Sequence, residues 1–176
     1  MKTFIEELPA QPVVYMRRTG PYGEENRVLM QAMKAWLHDR GLWCAGGVLY
    51  AVAQDDPAVT PPKKCRYDVC YVTRSELADV AVRRGTLPAG RYLVCEIAHT
   101  AAAVGQFWGQ VGTAAAAVGE QLDGSRPILE RYPIALVEEG RCQFCLPVFA
   151  RGPGDRGEGR SAGHTAAAGG GKRVTI

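Results

Sequence analysis

At 176 residues, with 47% apolar and 22% charged side chains, the chain can bury a sizeable core and has the composition of neither a disordered nor a fibrous protein. The net charge of +3 lies wholly in residues 151–176, which carry five Lys/Arg against two Asp/Glu, so residues 1–150 are neutral and offer no basic face for nucleic acid. No run of about 18 apolar residues is present to span a membrane, and the opening MKTFIEELPAQP has acids where a signal peptide needs an apolar stretch, so a cytoplasmic protein is expected.

Residues 12–18 (PVVYMRR) read as the first strand, and TGPY then turns the chain at Gly20 and Pro21. Residues 23–40 read as an amphipathic helix, with Val28, Ala32, Met33, Trp36 and Leu37 at helical spacing on one side. Glu24 and Glu25 suit its first turn, where the helix dipole favours acids, and Gly41 supplies a stop. Residues 47–53 and 66–73 read as strands joined by the polar, Pro-rich loop QDDPAVTPPKK, in which Asp55 and Asp56 look like turn formers. Arg66 and Asp68 share a strand face and are expected to hold the loop through an ion pair.

The stretch ELADVAVRRGTLPAG has no clear period. The plan then returns: a strand at 91–98, a helix at 101–122 and strands at 128–136 and 141–149. Val104, Phe107, Trp108, Val111, Ala115, Val118 and Leu122 line one face of the second helix. Strand–helix–strand–strand thus occurs twice, and CRYDVCYV and GRCQFCLPV are the closing strands of the two copies. One helix over three strands buries little. The expectation is therefore an α+β fold of two pseudo-symmetric modules that share a sheet or enclose a cleft. Residues 1–150 form that domain, and 151–176 form a disordered Gly/Ala/Arg-rich tail too poor in large apolar groups to offset its ordering entropy.

Metal chemistry is not expected. Cys44, Cys65, Cys70, Cys95, Cys142 and Cys145 read as buried thiols of a reducing compartment. Cys142 and Cys145 have C-x-x-C spacing, but residues three apart in a strand point to opposite faces. His38, His99 and His164 are scattered, and no cofactor motif is present. Gly105, Gly109, Gly112 and Gly119 fall along one flank of the second helix; they either leave room for a guest or reflect tolerated drift. Glu130 shares a strand face with Ile128, Tyr132 and Ile134, so it is either solvated on an open sheet or held in an apolar pocket with a raised pKa. In a pocket it would suit a cationic aromatic ligand, with Tyr22, Tyr50, Tyr71, Trp108 and Tyr132 as candidate walls.

Several motifs together, TGPY, DDPAVTPPKKCRYDVCYV (55–72), LPAGRYLVCEIAHT (87–100), RPILERY (126–132) and FCLPV, resemble the GyrI-like small-molecule-binding family over about residues 10–149. That family includes the effector-binding domains of AraC-type and BmrR-type regulators and the stand-alone SbmC/GyrI proteins. The resemblance implies two pseudo-symmetric modules with a ligand cleft between them. It carries the pocket glutamate to Glu130 in LERY, followed by Tyr132, and matches Tyr22 to the aromatic of the Gly-Pro turn. Trp108 joins the ligand-binding set for its helix position alone. It implies a hydrophobic, aromatic small-molecule partner, neutral or cationic. Two alternatives stay open: hydrolysis of cyclopropane-bearing genotoxic natural products, with Glu130 as the catalytic base, and inhibition of DNA gyrase by protein contact. About a dozen residues precede the first expected strand, so no helix-turn-helix and no direct DNA binding are expected.

Overall fold

The computed structural model describes residues 1–77 and 79–149. Its eight strands are β1 (Lys2–Leu8), β2 (Gln11–Thr19), β3 (Val48–Ala53), β4 (Arg66–Val72), β5 (Arg83–Leu87), β6 (Gly90–Ala98), β7 (Leu129–Pro133) and β8 (Arg141–Pro147). The helices are α1 (Glu24–Asp39), α2 (Ala101–Ala117) and the short α3 (Ile134–Glu138). The strands make one antiparallel sheet in the order β1-β6-β8-β7-β3-β4-β2-β5.

That order conflicts with a flat sheet. Pro9 and Ala10 alone link β1, the first strand in the order, to β2, the seventh. Six strand spacings would separate them by about 29 Å if flat, whereas the three Cα steps from Leu8 to Gln11 cover at most about 11 Å. Pro88 and Ala89 impose the same limit between β5, the eighth strand, and β6, the second. The sheet therefore curls until its edges approach. Its inner face closes on Leu8, Val13, Tyr50, Val52, Cys70, Leu87, Tyr92, Val94, Leu129 and Cys145, drawn from all eight strands.

The two halves match as expected, and each gains a strand. One sequence offset carries Leu8 to Leu87, Arg17 to Glu96 and Ala51 to Glu130 through the strand registers. Each module is thus strand–strand–helix–strand–strand, and its leading strand pairs with the other module: β1 with β6, β5 with β2. Sequence reasoning missed both leading strands. KTFIEEL is broken by adjacent acids, and RRGTL has too few apolar residues to show alternation.

Both long helices lie on the outer face. α1 packs Met33, Trp36 and Leu37 on Val14, Leu49, Ala51, Val69 and Tyr71. α2 packs Phe107, Ala114 and Ala115 on Leu93, Cys95, Cys142, Phe144 and Leu146, with the Phe107 and Phe144 rings stacked at 4.2 Å.

Four expectations are corrected. α2 stops at Ala117 instead of running to 122, because Gly119 adopts φ +70, a left-handed turn that suits glycine. The strand expected over 128–136 is only Leu129–Pro133; Pro133 caps α3, whose residues had read as more strand. Cys44 is exposed in the turn after α1, while the other five thiols are buried. Arg66 and Asp68 do not pair with each other: Arg66 binds Asp55 at 2.7 Å and fixes the loop, and Asp68 binds Arg17 at 2.6 Å. The tail expected at 151–176 lies outside the described residues.

Leu8 and Leu87 occupy equivalent points in the shared inner core and are both 6% exposed. Leu8→Ala and Leu87→Ala should each cost about 2–4 kcal/mol in urea unfolding. Val80→Ala, at a fully exposed site, should stay within about 0.5 kcal/mol. A cost below about 1 kcal/mol at Leu8 would mean that β1 is not integral to the fold.

Candidate functional site

The approximate two-fold relation passes through the β3–β7 pair, where Ala51 faces Glu130 across the sheet. These two residues are each other's equivalents in the two halves, so they meet at one point. Ala51 is fully buried and contributes only a methyl group, which leaves the space there to the Glu130 side chain.

Above this pair the helices diverge and enclose a cleft of about 690 Å³, within the range of ligand sites. Leu49, Tyr67, Tyr132 and Ile134 form its floor. Met30, Gln31 and Lys34 of α1, with Trp43 after it, make one wall; Val104, Gly105, Trp108 and Gly109 of α2 make the other. A Cβ at Gly105 or Gly109 would meet nothing within 4 Å, so these glycines are not needed for close packing and instead widen the cleft. Gly112 also faces open space but does not line it.

Glu130 lies just behind the floor. It is 3% exposed, and the Tyr132 hydroxyl donates to its Oε2 at 2.8 Å. Among the described residues no Lys or Arg pairs with it. Burial pushes its pKa up to about 7, and the Tyr132 hydrogen bond opposes that only in part. The Tyr67 and Tyr132 phenols are pushed up in turn, first by burial and then by the Glu130 charge. Of the two alternatives left by the sequence, the solvated carboxylate is set aside by this burial.

The other named aromatics occupy different places. Trp108 and Tyr132 line the cleft. Tyr22 stands behind Tyr67, with ring centroids 6.1 Å apart and its hydroxyl 2.9 Å from the Asp55 carbonyl and 3.0 Å from that of Arg66. It braces the floor from outside. Tyr71 is buried under α1 and donates to the Leu42 carbonyl at 2.9 Å. Tyr50 points to the inner face, where its hydroxyl accepts from Gln11 at 3.3 Å, and does not approach the cleft. Tyr67, Trp43, Lys34 and His99 line the cleft and were not singled out from sequence. Alternation alone puts Tyr67 on the face of Val69 and Tyr71, so Tyr67 was within reach of the strand period.

A ligand-sized cleft between two pseudo-symmetric halves, with a desolvated acid beneath it, defines a small-molecule-binding domain. Residues 1–148 match the GyrI-like family, described as a GyrI-like small molecule binding domain, and the chain belongs to that family. It is 35% identical over 150 residues to YosT of Bacillus subtilis (strain 168), a prophage-derived protein named as a candidate transcriptional regulator; the match covers 84% of this chain and 99% of that one. It is 29% identical to a DNA gyrase inhibitor of Edwardsiella ictaluri (strain 93-146), over 75% of this chain and 86% of the relative. In fold it resembles the EcmrR C-terminal domain (TM-score 0.61, 10% identity, 84% and 97% covered). It also resembles SAV2435 solved with tetraphenylphosphonium (TM-score 0.56, 18% identity, 85% and 94% covered). Against EcmrR in its DNA complex (TM-score 0.64, 13% identity), 84% of this chain aligns but spans only 57% of that one. Among the described residues no helix is long and apolar enough to cross a membrane, and no group of three or more His, Cys, Asp or Glu is placed to hold a metal ion.

The pKa of Glu130 is higher in the fold than the ordinary 4.5, so the native state holds the proton more tightly between about pH 4.5 and 7. Its effect on stability therefore turns unfavourable as pH rises through that window, reaching about 3 kcal/mol above pH 7. Glu130→Gln cannot ionise. Relative to wild type it should gain about 3 kcal/mol between pH 4.5 and 8 in denaturant unfolding. A difference that stays constant with pH would contradict the desolvated acid.

Proposed function

We propose that this protein binds and sequesters a hydrophobic aromatic cation in the cleft, with Glu130 as its anchor. The observation that carries this reading is the buried carboxylate, which has one phenol for company and no cation. Tyr67 and Tyr132 offer π-faces to a positive charge. Through the Tyr132 hydroxyl the ligand senses Glu130 without touching it, and a unit charge at roughly 6 Å is worth about 3 kcal/mol at an effective dielectric of 20. The apolar α2 wall, flat at Gly105 and Gly109, accepts the aromatic body. The five buried thiols suit a cytoplasmic setting.

Two other activities have an observation in their favour. The relative named DNA gyrase inhibitor supports restraint of gyrase by protein contact; supercoiling would then be inhibited with no small molecule added. A carboxylate near pH 7 has the basicity a general base needs, and hydrolysis would yield a product one water heavier by mass spectrometry.

Cation binding favours the ionised form of Glu130, so its pH dependence is fixed in sign. Tetraphenylphosphonium, followed by quenching of Trp fluorescence, should bind about tenfold more tightly at pH 8 than at pH 6. Glu130→Gln should bind weakly and show no such dependence. Tyr50→Phe, on the far face of the sheet, should match wild type. Equal affinity in Glu130→Gln would remove Glu130 as the anchor.

A further inference from the structure

The cleft is acidic beneath its floor and basic along its rim. Lys34, half-buried on α1, lines it with Nζ 6.0 Å from the Trp43 ring centroid and takes part in no ion pair among the described residues. His99, between β6 and α2, lines the same cleft with its ring 5.4 Å from that of Tyr132. Partial desolvation, and then the nearby Lys34 charge, pull the His99 imidazole below its ordinary range. Two basic side chains therefore stand within electrostatic reach of each other with no acid between them. The remaining acid of the wall, Glu24, is paired with Arg27.

Unpaired donors add to this. Asn26 is 1% exposed and lines the cleft; its Oδ1 accepts from Arg18 at 2.8 Å while Nδ2 has no partner. The Trp108 indole N–H, in the opposite wall, also has none. Thr100 and Ala101 bring the start of α2 into the wall, and that helix has no acid in its first turn, whereas α1 has two. A buried donor without an acceptor costs about 1–3 kcal/mol; both nitrogens are sealed from solvent, so a guest's acceptor oxygens would relieve that cost only after their side chains shift toward the cleft. A purely cationic guest would feel repulsion from Lys34.

We infer that the ligand of this cleft is amphoteric, an aromatic cation that also bears a carboxylate, with the carboxylate between Lys34 and His99 and the cation over Tyr132. The inference rests on the cation-binding reading above and narrows its substrate class. Seating an anion there also offsets the Lys34 charge, which otherwise disfavours protonation of His99.

Rhodamine B and its ethyl ester separate the two ideas. Both carry the same xanthylium cation, and only the acid has a free carboxylate. Fluorescence anisotropy on the wild type should show rhodamine B bound about tenfold more tightly than the ester, the size of one charge-assisted hydrogen bond. Lys34→Met should erase that preference and raise the ester's affinity, since it removes the charge that repels a cation. Lys34→Gln serves the same purpose if the Met variant melts early, and His99→Gln should narrow the preference. Binding of both dyes with no preference for the acid overturns the amphoteric ligand and leaves the cation reading standing. So does equal weakening of both dyes by Lys34→Met. If neither dye binds the wild type, the cation reading fails and this inference falls with it.

Discussion

The two connectors of Pro and Ala, at residues 9–10 and 88–89, are the constraint on which the rest of the structure depends. Each is too short to let its strands lie where a flat sheet would put them. The sheet must curl, and the curl does two things together. It turns one face inward to make a core from every strand, and it leaves the outer face to two long helices packed on separate clusters, one on each half. The cleft is thus a product of topology before any side chain is considered. Exchange of the leading strands adds rigidity, because neither module can swing away without breaking a ladder in the other.

Near-symmetry explains why there is one acid and where it sits. A two-fold relation brings equivalent residues together only near its axis, and Ala51 and Glu130 are such a pair. A large side chain from both halves could not occupy that point, so a large group there has to be asymmetric. The same logic extends to the buried polar clusters on the inner side. Arg17 with Asp68 in one half corresponds to Glu96 with Gln143 in the other, bonded at 2.6 Å and 2.9 Å respectively. Symmetric backbone positions are kept while the charges are rearranged. Arg131 completes the second cluster through Gln143 at 2.8 Å and Glu6 at 2.7 Å, tying β1 into the half it joins by exchange.

Much of this was legible in the sequence because long elements advertise their period. The helical spacing over Met33, Trp36 and Leu37, the doubled closing strands and the position of Glu130 among apolar neighbours each followed from local pattern. The leading strands were not legible, since each lies at a sheet edge and needs few apolar residues, most of its partners being supplied by the other half. Yet LPA at 8–10 and again at 87–89 was in plain view as a repeat, and it marks the exchange. The site divided along the same line. Tyr132 and Trp108, taken from motif and helix face, line the cleft, whereas Tyr22, Tyr71 and Tyr50 do not, because a tyrosine's identity alone does not say which neighbours its ring packs against. Lys34 and His99 were missed because only the tertiary fold brings α1 and the β6–α2 turn to one cleft.

An acid held in this way works differently from a standing surface charge. With its pKa pushed up to about 7 by burial, Glu130 holds its proton far more readily at neutral pH than an ordinary carboxylate, so the empty site carries less than a full negative charge. Small inorganic cations gain little there, since stripping their water costs more than a partial charge returns. On the proposed reading, a large aromatic cation with a weakly hydrated charge would gain from the Trp108 and Val104 wall enough to meet the cost of ionising the carboxylate. On that reading selectivity would come from coupling two requirements, bulk and charge, in one event: a neutral aromatic would meet the first and leave the acid protonated, and a small cation would meet neither in full. The instability that the buried carboxylate brings to the empty fold is the source of that coupling. A carboxylate already paired with an arginine, as Asp68 is with Arg17, would be stable and would have nothing left to offer a guest.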